Sequence, residues 1–285
     1  MDIVNILWAL LWFSLFSIVF GAALAIASKV FAVKTDERTE AVAELLPGAN
    51  CGGCGYAGCA ACAEAIVRGD AKTTACSAGG QEIADKIAAV MGQKSEQAVR
   101  MRAQVMCSGT LGCAKKKYVY EGAHDCISAA RLGGGDKECP NGCIGLGTCA
   151  SACKFGAIVV TDGVAAIDYE KCVGCGTCVE RCPKHIIKLI PYDSAHWVGC
   201  MSHDKGAVTR KYCDIGCIAC GLCKKVCESG AIDIVGNTAS IDYSKCTGCG
   251  KCVEKCPRKI IWSRGQQLRF GVTITSDELE EKKTK

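Results

Sequence analysis

The chain has 285 residues, of which 26 are cysteine and only five proline, with aromatics at 6% and a formal net charge of +5. Thiols this numerous, mostly two to five residues apart, exclude a disulfide scaffold: few neighbours at that spacing reach unstrained bridge geometry, whereas repeated thiolates wrap a metal centre. The basic sum is no argument for nucleic acid either. Each oxidised 4Fe–4S core with four thiolates adds about −2, so five would carry the chain from +5 to about −5.

Residues 3–28, "IVNILWALLWFSLFSIVFGAALAIAS", carry no charged side chain. As a helix they span about 39 Å, more than the ~30 Å apolar core of a bilayer. Trp8 and Trp12 stand one turn apart near one end, where interfacial aromatics are common. A signal peptide needs a positive start, and Asp2 stands there, so residues 1–29 read as a transmembrane anchor. Lys29, Lys34 and Arg38 follow the span, which places the C-terminal bulk on the cytoplasmic side.

A second unit is expected over 30–92. "TDERTEAVAELLPGAN" reads as a short amphipathic helix stopped at Pro47-Gly48. Cys51-x2-Cys54-x4-Cys59-x16-Cys76 follows, three ligands on a Gly-rich loop and one distant ligand, a spacing for one cuboidal cluster. A four-thiolate zinc site stays open at this point. Cys62 reads as a buried free thiol beside that centre, on a helix over 60–68. Residues 81–106 predict a helix with Ile83, Ile87, Val90 and Met91 on its apolar face, and 93–125 a connecting helix with a Cys-containing segment.

The remainder is duplicated with an offset of 74. "CVGCGTCVERCPKHII" (172–187) returns as "CTGCGKCVEKCPRKII" (246–261), and the offset maps Cys126, Cys139, Cys143, Cys149 and Cys153 onto Cys200, Cys213, Cys217, Cys223 and Cys227. Two ferredoxin-like modules are therefore expected, over 126–190 and 191–262, before a polar tail over 263–285. Each module has a predicted β-hairpin, turning at Thr161-Asp162-Gly163 and at Gly236-Asn237. The fold class is thus α+β: one transmembrane helix, a small four-cysteine 4Fe–4S domain and two tandem 2×(4Fe–4S) modules.

The runs Cys172-x2-Cys175-x2-Cys178-x3-Cys182-Pro183 and Cys246-x2-Cys249-x2-Cys252-x3-Cys256-Pro257 have the bacterial ferredoxin spacing, in which the fourth Cys serves the other cluster. Crossing the ligands groups Cys217, Cys220, Cys223 and Cys256; Cys246, Cys249, Cys252 and Cys227; and Cys172, Cys175, Cys178 and Cys153. The fourth group holds Cys143, Cys149 and Cys182, but Leu146 stands where the duplicate has Cys220, and Cys139 is the expected substitute. With the first motif this makes at least five 4Fe–4S clusters. A sixth would draw on Cys107, Cys113 and Cys126 with one of the repeat cysteines Cys200 or Cys213; otherwise these are leftover thiols.

Clusters spaced along a chain conduct electrons, and no substrate-converting site accompanies them. "RLGGGD" (131–136) lacks the dinucleotide frame, and the four His show no metal-pair spacing. The anchor followed by "LPGANCGGCGYAGC" and the ferredoxin runs resembles the B subunit of Rnf complexes in its longer, cluster-rich form. That resemblance implies a subunit of a membrane ferredoxin:NAD oxidoreductase that couples electron flow to Na⁺ or H⁺ transport. It implies reduced ferredoxin as electron donor, and flavin and iron–sulfur subunits as the next partners. NAD chemistry and ion pumping would lie on those other subunits. The chain's own contacts would be these proteins and, through one helix, lipid. A relay polyferredoxin of another membrane hydrogenase or dehydrogenase, and a zinc-binding membrane-tethered assembly module, are the alternatives.

Overall fold

The computed structural model describes residues 3–30, 36–97 and 99–264. α1 (Ile3–Val30) carries one charged residue, Lys29 in its last turn, and its stretch Leu10–Lys29 is long and apolar enough to cross a membrane. Its large side chains, among them Trp12, Phe13 and Phe20, lie exposed, as a lipid-facing helix requires. Asp2, Lys34 and most of the expected polar tail lie outside the described residues.

The next unit is three short helices, α2 (Glu37–Leu45), α3 (Cys59–Arg68) and α4 (Gly80–Met91). Asp36 caps α2, accepting the Arg38 N–H at 3.0 Å, and Leu46 leaves the helix because Pro47 follows. The exposed Arg38 guanidinium holds the Asp36 carboxyl down at about 2. Val42, Leu46, Ala63, Ile66 and Ile87 form the core between the three helices. The helix expected over 81–106 ends at Met91 instead, where Gly92 adopts φ +64, and residues 101–105 form a strand.

From there the chain is built of small pieces. β1 (Met101–Val105) is followed by α5 (Cys126–Arg131), α6 (Thr148–Ser151), β2 (Ile158–Thr161), β3 (Val164–Ile167), α7 (Thr177–Arg181) and β4 (Ile187–Pro191). β5 (His196–Val198), α8 (Gly206–Tyr212), α9 (Leu222–Lys225), β6 (Ile232–Val235), β7 (Thr238–Ile241), α10 (Lys251–Lys255) and β8 (Ile261–Ser263) repeat the pattern. The four sheets are antiparallel pairs, β1 with β4, β2 with β3, β5 with β8 and β6 with β7. Both hairpins turn where sequence predicts. Asp162 and Gly163, and likewise Gly236 and Asn237, all have positive φ, the geometry that matches strand twist.

Strand register redraws the duplication. Val105 pairs with Ile187 and Val198 with Ile261, so β1 and β5 are equivalent with an offset of 93, not 74. Cys107 therefore corresponds to Cys200, and Cys126 lies in an insertion confined to the first half. The halves meet through Met106, Ile190, Trp197 and Trp262. Arg102, fully buried, stacks 3.9 Å from the Tyr169 ring and donates to Gln104 Oε1 and to the Tyr192 and Ser194 carbonyls.

Candidate metal centres

The first four cysteines are gathered by a loop of unusual backbone. Asn50, Gly52 and Gly55 take positive φ, and Asn50 Oδ1 accepts the Cys59 N–H at 2.8 Å, fixing the start of α3. Cys76 is brought back to the same place. Burial raises its thiol pKa, and the proximity of Cys54, Cys59 and Cys51 adds to the rise. Cys62 lies behind them, 1% exposed and pushed up to about 12 by burial and then by Cys54.

In each half the cysteine runs cross. Burial pushes Cys178 up to about 12, and its thiol neighbours are Cys172, Cys175 and Cys153. In the second half Cys252 is pushed to about 11 in the same way, beside Cys246, Cys249 and Cys227. Cys217, Cys220, Cys223 and Cys256 line one apolar pocket. The short helices α6, α7, α9 and α10 place one cysteine each, and all four begin after a glycine of φ between +73 and +81.

The fourth group departs from expectation. A pocket is lined by Cys126, Cys143, Cys149 and Cys182, and Cys139 is not on it. Burial pushes Cys149 up to about 12, with Cys126 the foremost of its thiol neighbours. The cause is a local hydrogen-bond chain. Asp125 caps α5 by accepting the Ser128 N–H at 2.8 Å and also accepts the Thr148 hydroxyl at 2.7 Å; that hydroxyl oxygen accepts the Cys126 N–H at 2.7 Å. This ties α5 to α6, so Cys126 enters beside Cys149, and Leu146 packs against the small cluster of Cys126, Ala129 and Ile144.

Cys139 lines a cavity between the two halves, with Cys107, Cys200 and Cys213. The four are two equivalent pairs, one member of each from each half. Their surroundings match: the Cys143 N–H donates to Cys107 Sγ at 3.3 Å and the Cys217 N–H to Cys200 Sγ at 3.3 Å. Lys137, 3% exposed, reaches the rim and donates to the Gly109 and Gly163 carbonyls, both at 2.7 Å. Cys113 does not line this cavity. Its thiol pKa is lowered to about 6 by the hydrogen bond with Cys213, and it lies 3.4 Å from Thr110 Oγ1. The sixth group expected from Cys107, Cys113 and Cys126 is thus not the one brought together. An offset of 74 pairs Cys126 with Cys200 by coincidence and hides the pairing of Cys107 with Cys200.

The donor sets fit an iron–sulfur cluster. Among the described residues no three Cys, His, Asp or Glu side chains converge on a point as a single ion requires, and zinc thiolates would stand about 3.8 Å apart. Three of the groups instead rim cavities that are largely apolar. Backbone N–H groups point at several sulfurs: Ala103 to Cys172 and Ala157 to Cys153 at 3.4 Å, and Ala231 to Cys227 at 3.3 Å. Such donors stabilise the thiolate charge that a metal-ligating cysteine carries.

Three segments match known domain families: residues 46–78 an Fe-S cluster family, 165–188 a 4Fe-4S binding domain and 216–260 a 4Fe-4S dicluster domain. The chain is 47% identical to the B subunit of the Na(+)-translocating ferredoxin:NAD(+) oxidoreductase complex of Acetobacterium woodii, over 86% of this chain and 74% of that one. It is 43% identical to the B subunit of the ion-translocating oxidoreductase complex of Methanosarcina acetivorans, over 85% and 92% of the two chains. With the B subunit of the proton-translocating ferredoxin:NAD(+) oxidoreductase complex of Clostridium ljungdahlii the identity is 39%, over 89% and 90%.

Proposed function

Because the chain belongs to the family of B subunits of ion-translocating ferredoxin:NAD oxidoreductase (Rnf) complexes, we propose that it accepts electrons from reduced ferredoxin and relays them to neighbouring subunits. The chain is a membrane-associated iron–sulfur electron-transfer subunit of a redox complex. We assign six 4Fe–4S centres to six four-cysteine groups. These are Cys51/54/59/76, Cys153/172/175/178, Cys126/143/149/182, Cys107/139/200/213, Cys217/220/223/256 and Cys227/246/249/252. Each such cluster, when bound, takes up and gives up one electron at a time.

The observation that carries the reading is the contiguity of the groups. Cys149 neighbours Cys178, the Cys143 N–H meets Cys107 Sγ, and the Cys217 N–H meets Cys200 Sγ. Residues of one group thereby lie beside those of the next, from the first half to the second. The basic residues after α1 favour a cytoplasmic placement of all six. Nicotinamide chemistry and ion transport are assigned to other subunits, and the relatives' names differ in the ion, sodium in one and proton in another.

The test is anaerobic purification of the full chain in detergent, with iron and sulfide analysis and electron paramagnetic resonance (EPR). About 24 iron per chain is expected, in a brown protein that reduced ferredoxin reduces. Colourless, zinc-containing protein, or centres that ferredoxin leaves oxidised, would overturn the reading. Two variants localise the parts. Removing residues 1–28, which contain no cysteine, is expected to leave a soluble protein with the same iron content. Cys54→Ala is expected to lose about four iron while the signals of the ferredoxin-like halves persist.

A further inference from the structure

We propose that the contact of Gly53 with Cys175, held by Thr177 and Lys154, is the junction through which electrons pass between the four-cysteine domain and the first ferredoxin-like half; this rests on the cluster reading above. Gly53 lies between Cys51 and Cys54 and packs directly on the Cys175 backbone, so that a Cβ built there would fall inside the Cys175 carbonyl. Its neighbours Gly52 and Gly55 need glycine for their positive φ, of +75 and +85, but Gly53 does not. The missing side chain at 53 is therefore demanded by the approach of the two loops and not by the backbone.

Two side chains hold the loops together. The Thr177 hydroxyl donates to the Cys51 carbonyl at 3.2 Å and lies 3.5 Å from Cys175 Sγ, so one residue touches a cysteine of each group. Lys154, next to Cys153, donates to the Ala49 and Asn50 carbonyls at 3.0 and 2.6 Å. The duplicate supplies an internal comparison. There the positions of Lys154 and Thr177 are Glu228 and Lys251, which pair with each other at the surface, and Cys249, the counterpart of Cys175, is exposed. In the first half the same two positions instead make three hydrogen bonds into the neighbouring domain.

Gly53, Thr177 and Lys154 act as positioning residues. One electron leaves the centre on one side as the centre on the other side gains it, and no bond is made or broken. Exchange between buried centres falls steeply with separation, so wedging the loops apart by one methyl group should be felt.

The experiment compares full-length wild type, Gly53→Ala, and the double variant Thr177→Val with Lys154→Met, all purified anaerobically. Iron content and the dipolar broadening of the reduced EPR signals are measured, with Cys54→Ala identifying the broadening due to the first centre. Gly53→Ala is expected to keep wild-type iron, lose that broadening and slow electron exchange with the first centre severalfold; Thr177→Ser should keep it. Full iron with undiminished broadening in both Gly53→Ala and the double variant would overturn the junction. Should Gly53→Ala lose iron, the double variant decides alone. Wild-type protein with no cluster within residues 51–76 would instead overturn the reading on which the junction rests.

Discussion

Cys126→Ala is expected to cost the chain about four iron, or to leave a 3Fe–4S centre with a new oxidised-state EPR signal, and the loss should fall in the first ferredoxin-like half. The thiol sits on the rim with Cys143, Cys149 and Cys182, held there by the chain from Asp125 through Thr148. Leu146 occupies the position where the duplicate carries Cys220 and packs against the cluster of Cys126, Ala129 and Ile144. Adding Leu146→Cys to the Cys126→Ala chain should therefore restore the centre, because it rebuilds the spacing of the duplicate. A Cys126→Ala protein with full iron and unchanged spectra would refute the assignment.

Cys139→Ala and Cys213→Ala are each expected to remove one and the same centre, the one between the halves. Each single variant should lose about four iron, and the double variant no more than either single one. Non-additivity is the decisive feature: a loss of about eight iron in the double variant would mean two separate centres. Cys113→Ala should leave the iron content unchanged, since Cys113 stands off the cavity and bonds to Cys213 and Thr110. The two halves should then titrate without magnetic coupling between them in the Cys139 and Cys213 variants, because the group linking Cys143 to Cys217 is gone.

Local signals were legible wherever chemistry and spacing coincide. The hairpins over 158–167 and 232–241 follow from alternation around residues that accept positive φ, and α2 from its cap and its proline. The grouping of Cys172, Cys175 and Cys178 with Cys153 follows from the ferredoxin run itself. What sequence concealed is long range. Residues 101–105 look like the end of an amphipathic helix, yet they pair with a strand more than eighty residues away. That pairing alone reveals Cys107 as the counterpart of Cys200. An insertion in one half shifted the register, and periodicity cannot see a shift that strand pairing absorbs. Cys126 hides its partners for a related reason: its route to Cys149 runs through hydroxyl and carboxylate contacts that have no spacing signature.

No sheet in the described residues exceeds two strands, and pairs of that size are marginal in water without further packing. The buried set of the first half includes Cys143, Cys149, Cys172, Cys178 and Cys182 where other proteins of this size bury leucine. Newly synthesised chain that meets no cofactor therefore lacks part of what would hold these pairs closed. Such chains fall to proteases, whose attack follows the open population. The cell's iron economy would then set how much of this protein survives, with transcript level a poor guide: under iron starvation pulse-labelled chains should disappear within a fraction of their replete half-life, leaving the membrane short of assembled complexes.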